Sequence, residues 1–510
     1  MAAEPANIAK INPTDPTIEI SSSNNDEPIT AVKNRRSNEL IIALCGAVGS
    51  GVSELEEILE EQLVQKGYTV EHIRLSELII AQQSTDKHDD LKKLVGYHRY
   101  NELQNLGDII RKDKGESRLS ALAIDEIATR RQYLKDNNKI NSHEDSPRIA
   151  YIINQIKNPK EVELLNVVYR NNFYMLGLLR NEAERKANLA SNQMNDVQVS
   201  ELINRDRKDI EKFGQHVEKS LYLSDYFIRN IDDTKILKGS VERFIHLIHG
   251  TEHITPTVDE TGIFSAFSAS LRSACLSRQV GAAISDESGN IITTGCNDVP
   301  SFGGGLYNSN STSDKRCFNY GRECHNDKHK SLLKNEMKAI LEESNIGDAE
   351  NLADKLINNT KAKSLIEYSR AVHAEMDAIT SLARSSNSSS ENKVLYCTTY
   401  PCHVCARHIV ASGIKRVVYI EPYEKSLALQ LHSDSITHPE NKSDPTKVLF
   451  INFEGVSPQR YAKFFGYGQP RKANDGKAIS YSILESGHVD PQYLDSYQDY
   501  ELKVINSLGE

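Results

Sequence analysis

Residues 368–379 read YSRAVHAEMDAI, and residues 398–409 read TTYPCHVCARHI. In the first, a His and a Glu stand two apart at the start of an apolar-periodic run; in the second, two cysteines stand three apart at the start of another. Either pattern alone is common, and their joint occurrence is what needs explaining. The spacing places His373 and Glu375 in the first turn of a predicted helix that continues through Met376, Ile379 and Leu382. Cys402 and Cys405 open a second helix through Ile409 and Val410, with Pro401 just before it, where proline is well tolerated. NKVLYCTTY, between them, has the pattern of a strand. Two helix N-termini aimed at one point offer unpaired N–H groups and positive dipole ends, which favour thiolates over thiols. One His and two Cys give three ligands for tetrahedral Zn²⁺ and leave a fourth position for water, as in catalytic rather than closed structural sites. Glu375, on the same turn as His373, is then placed to carry protons rather than to ligate. A redox Cys pair beside an unrelated His-x-Glu is the bland alternative, and the intervening strand and Pro401 argue against it.

Working outward, the chain has 510 residues, too many for one ordinary core, so two or more domains are expected. With 38% hydrophobic and 26% charged residues it has the composition of a globular protein. No apolar run reaches the length of a membrane span, and the opening MAAEPANIAKINPTDPTIEI lacks a secretory pattern, so a cytoplasmic protein with no membrane partner is expected. In that compartment eight cysteines suit metal ligation or packing better than disulfides. A net charge of −10 gives no global signal for nucleic-acid binding.

Residues 1–38 are polar and broken by Pro, Ser and Asn, and are expected to be disordered. NELIIALCGAVGSGVSELEEILEEQLVQKGYTVEHIRL then reads as strand, glycine-rich turn, helix and strand, a unit of a parallel sheet. RIAYIINQI, NNFYMLGLL and DYFIRN are further strands, with a crossover helix over KNPKEVELLNVVY. The first domain spans 39–250. A second, 251–455, opens with a helix over TGIFSAFSASLRSACLS and a hairpin over QVGAAISDESGNIITTGCN, and carries a polar insertion at 300–368. A C-terminal extension, 456–510, has little periodicity. GAVGSGVS, Gly46 to Ser53, fits the phosphate-binding pattern Gly-x-x-x-x-Gly-Lys-Ser except that Val52 stands where lysine belongs. Gly46, Gly49, Ser50, Gly51 and Ser53 form a candidate nucleotide-binding loop that has lost the charge for β/γ-phosphates. A nucleotide sensor or an inert scaffold fits this better than an enzyme drawing its lysine from elsewhere.

His-x-Glu followed by Pro-Cys-x-x-Cys is the signature of zinc-dependent base deaminases. From SLRSACLSRQVGAAIS through GCNDVPS, VHAEMDAI and YPCHVCARHIVASGIKRVVYIEPYEKS, the chain resembles deoxycytidylate deaminases. As a whole it resembles the bacterial anti-phage dCTP deaminases, in which a P-loop kinase-like domain precedes the deaminase. The fold class implied is α/β: an N-terminal P-loop NTPase-like parallel sheet, then a cytidine deaminase-like three-layer α/β/α domain. By motif position, His373, Cys402 and Cys405 would bind zinc and Glu375 would shuttle protons. Asn297 would contact sugar or base, with Cys296 replacing the usual aromatic. Arg278 would contact phosphate, with Lys425 as a further candidate. Cys317, Cys324 and His325 in the insertion form a candidate second metal set, against a bland reading as reduced thiols in a mobile loop.

The expected activity is zinc-dependent deamination of deoxycytidine nucleotides, dCTP to dUTP and dCMP to dUMP, depleting dCTP in antiviral defence. Resemblance further implies a homo-oligomer, a hexamer, and repression by a small RNA. Two rival readings stay open: a single-strand polynucleotide cytosine deaminase, and a non-catalytic nucleotide-sensing module. The first would want a basic channel with stacking aromatics, whereas the chain is acidic and has no Trp. The complete His-Glu-Cys-Cys set opposes the second.

Overall fold

LIIALCG forms strand β1 (Leu40–Gly46), buried along its whole length, as an unbroken apolar run at the centre of a parallel sheet requires. Its side chains alternate: Leu40, Ile42 and Leu44 enter one core, and Ile41, Ala43 and Cys45 the other. Around it lie β2 (Thr69–Arg74), β3 (Ile149–Asn154), β4 (Phe173–Leu178) and β5 (Tyr226–Ile228), in the order β5-β4-β1-β3-β2, all parallel. Helix Pro159–Tyr169 connects β3 to β4 as expected. Its start is fixed by a capping box between Asn158 and Glu161, with Pro159 in the first turn.

The second sheet contains β6 (Gly281–Ser285), β7 (Ile291–Cys296), β8 (Val394–Thr399), β9 (Arg416–Glu421), β10 (Ile436–Thr437) and β11 (Val448–Asn452). Their order is β10-β11-β9-β8-β6-β7, with β6 antiparallel to both neighbours and the rest parallel. Helix Val258–Ser270 lies on this sheet, opened by a Thr257–Glu260 capping box. Two glycines let helices approach. A Cβ at Gly281 would lie 1.9 Å from the Ala266 carbonyl oxygen, and one at Gly295 would lie 2.3 Å from that of Ala374.

The C-terminal extension does not stand apart. β12 (Gly455–Val456) pairs antiparallel with β5, and Val456, Phe464 and Ile483 join the first sheet's core. Glu260 ties the two sheets together, accepting from Arg243 Nη2 at 2.7 Å and from the Val456 N–H at 2.8 Å. The polar insertion is partly helical toward its end, as expected, forming His325–Glu343 and Ala349–Asn359.

The computed structural model describes residues 29, 35–137, 147–180, 182–191, 194–207, 213–229, 233–385, 389–421, 423, 426–438, 444–466, 470–484 and 486–494. Of the segment expected to be disordered, only 29 and 35–38 fall within these. The chain divides into two compact units, residues 1–36 with 493–510, and residues 37–492, which hold both sheets. No helix among the described residues is long and apolar enough to cross a membrane.

Candidate active site

His373 is the N-cap of helix Ala374–Arg384, and Cys402 is the N-cap of helix His403–Ala411. Both helices start as the sequence predicts, and their starts converge. The Nδ1 atom of His373 lies 3.3 Å from the Sγ of Cys402 and 3.3 Å from that of Cys405. These three ligand atoms all lie within 4.8 Å of one another, the one group of this kind among the described residues. The Cys405 N–H points at Cys402 Sγ, 3.4 Å away, as an N-cap acceptor does. Hydrogen bonds from Cys405 and His373 hold the Cys402 thiol down at about 4. The hydrogen bond to Cys402 lifts His373 up to about 9, and sharing a proton with Cys402 pushes Cys405 up. One imidazole nitrogen and two sulfurs converging at two helix starts are a donor set that fits Zn²⁺.

Glu375 lies in the first turn of the helix that His373 caps and is 4% exposed, and burial pushes its carboxyl above the usual carboxylate range. Cys397 of β8 is fully buried and close enough to feel the Glu375 charge, and burial pushes its thiol up. Sequence reasoning missed two residues that set the position of this helix. Gly295 leaves room for it on β7, and Asp377 accepts the Cys296 N–H at 3.1 Å, pinning the helix's first turn to the end of that strand. An isolated glycine inside a strand pattern was the available signal for the first.

Asn297 is 7% exposed and works inward: its Oδ1 accepts the Val280 N–H at 2.7 Å, and its Nδ2 donates to the Arg278 carbonyl at 2.8 Å. It therefore shapes the segment that carries Arg278. The Arg278 guanidinium uses Nη2 for both of its side-chain contacts, Thr399 Oγ1 at 2.5 Å and the Glu421 carboxylate at the end of β9. Burial pushes Glu421 up to about 7. Glu421 lies within the quoted motif IKRVVYIEPYEKS but was not singled out by its residue type or spacing. Lys425 lies outside the described residues.

The structure does not assemble Cys317, Cys324 and His325 into a metal-holding group. Cys317 Sγ sits 4.0 Å from Arg370 Nη1, and Cys324 Sγ sits 3.6 Å from Ser277 Oγ. In the first sheet, Gly49 and Gly51 take positive φ of 83° and 82°, as the expected loop requires. Val52 is 3% exposed and packs in the core beside Leu55 and Leu59. Lys157, just after β3, is paired with Asp206.

A family model described as the cytidine and deoxycytidylate deaminase zinc-binding region matches residues 257–421. The deoxycytidylate deaminase of Enterobacteria phage T4 is 33% identical over 166 residues, covering 32% of this chain and 76% of the phage protein. The chain belongs to the deoxycytidylate deaminase family. The phage T2 deoxycytidylate deaminase aligns similarly, 33% identical over 168 residues, with 32% and 78% of the two chains covered. A crystal structure of dCMP deaminase from cyanophage S-TIM5 in complex with dCMP and dUMP is also similar. It is 19% identical, with a TM-score of 0.23, and the match covers 39% of this chain and 99% of that one. As a member of this family the chain is an enzyme, a zinc-dependent deaminase, and the match spans both helices that carry His373, Glu375, Cys402 and Cys405.

Proposed function

We propose that this enzyme hydrolytically deaminates deoxycytidine nucleotides, converting dCMP to dUMP and dCTP to dUTP. The convergence of His373, Cys402 and Cys405 within 4.8 Å, beside a buried Glu375, carries the reading. In it, His373 Nδ1 and the two Sγ atoms hold the metal. Zinc bound there supplies Lewis acidity and brings the pKa of a coordinated water toward neutrality. Glu375, raised by its burial, accepts a proton from the attacking water and delivers it to cytosine N3, then takes the proton of the hydroxyl formed at C4 and passes it to the departing amine, which leaves as ammonia. Asn297 holds the 278–280 segment in place. Arg278 meets the phosphate through Nη1 and Nε, since its contacts to Thr399 and Glu421 use only Nη2. Lys425 is a further phosphate ligand in the same reading, and the Gly46–Ser53 loop serves as a nucleotide sensor or an inert scaffold rather than a kinase centre.

Resemblance to the anti-phage deaminases, with a glycine-loop domain ahead of the zinc domain, supports dCTP as a substrate and dCTP depletion in the cytoplasm as the biological outcome. The same resemblance supports hexamer assembly and control by a small RNA. The direct test is chromatography of products after separate incubation with dCTP, dCMP, CTP and a cytosine-containing single strand. The expected products are dUTP and dUMP, with little conversion of the other two. Faster conversion of cytosine in the strand than in dCTP or dCMP would overturn the reading and favour a polynucleotide deaminase.

A further inference from the structure

The alternation of side chains along β8 and β9 decides which residues face the zinc helices. Leu395 and Cys397 of β8 and Val417 and Tyr419 of β9 share a core with Ala374, Ala378, Cys402 and Cys405, whereas Tyr396, Val418 and Ile420 enter another. By the same alternation Thr399 and Glu421 fall on the zinc-helix side. They are the last residues of their strands and stand opposite each other in the parallel register, and the chain reaches Cys402 just after Thr399. β6 runs antiparallel to β8, so its start returns to this end, with the Gly281 N–H on Thr398 Oγ1 at 3.1 Å. Arg278 lies just before that start.

There the side chains form a closed triangle. Thr399 Oγ1 donates to Glu421 Oε2 at 2.9 Å, and Arg278 Nη2 donates to both, to Thr399 Oγ1 at 2.5 Å and to Glu421 Oε2. The Arg278 carbonyl is held separately by Asn297 Nδ2 at 2.8 Å. Both ends of this arginine are thus fixed, while its Nη1 and Nε have no hydrogen-bond partner among the described residues. The guanidinium is close enough to Glu375 to feel its charge, which puts it beside the proposed proton carrier.

Stability does not account for the triangle. The Arg278 and Glu421 side chains are 40% and 31% exposed, and an ion pair so open to water adds little to folding. Charge alone does not account for it either, since a carboxylate repels a phosphate. What Glu421 supplies is direction. A free arginine has several torsions to settle when it meets an anion, and immobilising such a side chain on binding weakens association by up to about tenfold. Other anions also compete for it: the charges of Glu375 and of Glu218, on helix Val217–Leu221 against β1, both reach Arg278. Glu421 and Thr399 hold the guanidinium against both losses before a substrate arrives.

We propose that Glu421 is a positioning residue for the substrate phosphate: it holds Arg278 by Nη2 so that Nη1 and Nε are presented to the nucleotide. This rests on the reading of Arg278 as the phosphate contact. The test is steady-state deamination of dCMP by the full-length zinc enzyme, with kcat and KM separated. Glu421→Ala raises KM about tenfold and leaves kcat within about threefold, with zinc content and thermal midpoint at the parent's values. Glu421→Gln keeps an acceptor oxygen for Nη2 and removes the charge, so its KM is at or below the parent's. Arg278→Ala raises KM at least as much as Glu421→Ala, and adding Glu421→Ala to it changes KM by less than about twofold, because nothing is left to position. Where Glu421→Ala does not fold or hold zinc, Thr399→Val takes its place: it removes the hydroxyl shared by Arg278 and Glu421 and raises KM in the same Arg278-dependent way. The proposal is overturned if the folded variant has the parent's KM, if Glu421→Gln is as impaired as Glu421→Ala, or if the single effects multiply in the double variant. An unchanged KM in Arg278→Ala overturns the phosphate reading of Arg278 and the proposal with it. A raised KM in Arg278→Ala beside a normal Glu421→Ala overturns the role of Glu421 alone.

Discussion

Helix Val52–Gln65 after β1 and helix His403–Ala411 after β8 each start just beyond the carboxyl end of a parallel strand, yet their N-caps do different work. At the second, the N-cap is Cys402, a side chain whose Sγ meets Cys405 and His373 in a group that could hold a metal ion. At the first, the N-cap is Gly51 at φ 82°, with no side-chain cap, so any chemistry rests on backbone N–H groups and on residue 52. That residue is a valine facing the core, and Asp206 has taken one of the loop's N–H groups. The same architectural position thus presents converging side-chain donors in one half of the molecule and, in the other, a loop whose residue 52 and one N–H are taken up by the chain's own packing.

The largest effect that would break this contrast lies at the zinc helix. Cys402→Ala removes a ligand and the shared thiolate, so metal content and dCMP turnover should fall together, turnover by about 10³-fold or more. Elemental analysis beside an activity assay decides it, and full zinc with full turnover would remove Cys402 from the site. In the first half, Val52→Lys restores the missing charge but buries it in a packed core. Urea unfolding should show a loss on the order of 3 kcal/mol, with no phosphate transfer from ATP to dCMP. A stable variant that phosphorylates dCMP would mean the loop lacks only its lysine.

A smaller effect tests how the first sheet depends on the chain's own end. His249 is fully buried, with Tyr68 Oη 3.1 Å away and the His488 ring beside it, and burial holds it down at about 3 against an ordinary 6.5. The folded state therefore binds fewer protons than the unfolded chain between these values. Stability from this group is complete above pH 6.5 and falls as the pH drops toward 3, by about 2 kcal/mol at pH 5. His249→Gln should flatten that part of the pH dependence of unfolding, and an unchanged slope would assign it to other groups.

The difference between the two halves also explains what could be read in advance. His373, Cys402 and Cys405 stand in side-chain motifs of fixed spacing at two helix starts, so their convergence was legible from the residues. So were β1, β3 and β4, whose unbroken apolar runs admit little but a buried strand. Asn297 was picked out by its motif, but its amide faces the 278–280 backbone, a direction no spacing reveals. Glu421 meets Arg278 from 143 positions away, and Gln104 meets Gln215 from 111, contacts that exist only once the strands are ordered. The C-terminal extension showed no period because it contributes single anchors, Phe464 and Ile483, to a core built elsewhere.

The central claim is that the helix carrying His373 supplies both a metal ligand and a separate proton carrier. Glu375→Gln keeps the shape of the side chain and removes its capacity to accept a proton. The decisive measurement pairs zinc stoichiometry with single-turnover deamination of dCMP in this variant. The account predicts the parent's zinc content and a rate lower by about 10⁴-fold, at the upper end for general acid–base catalysis, with nucleotide affinity little changed. Parent-level zinc with deamination within a few-fold of the parent would contradict it.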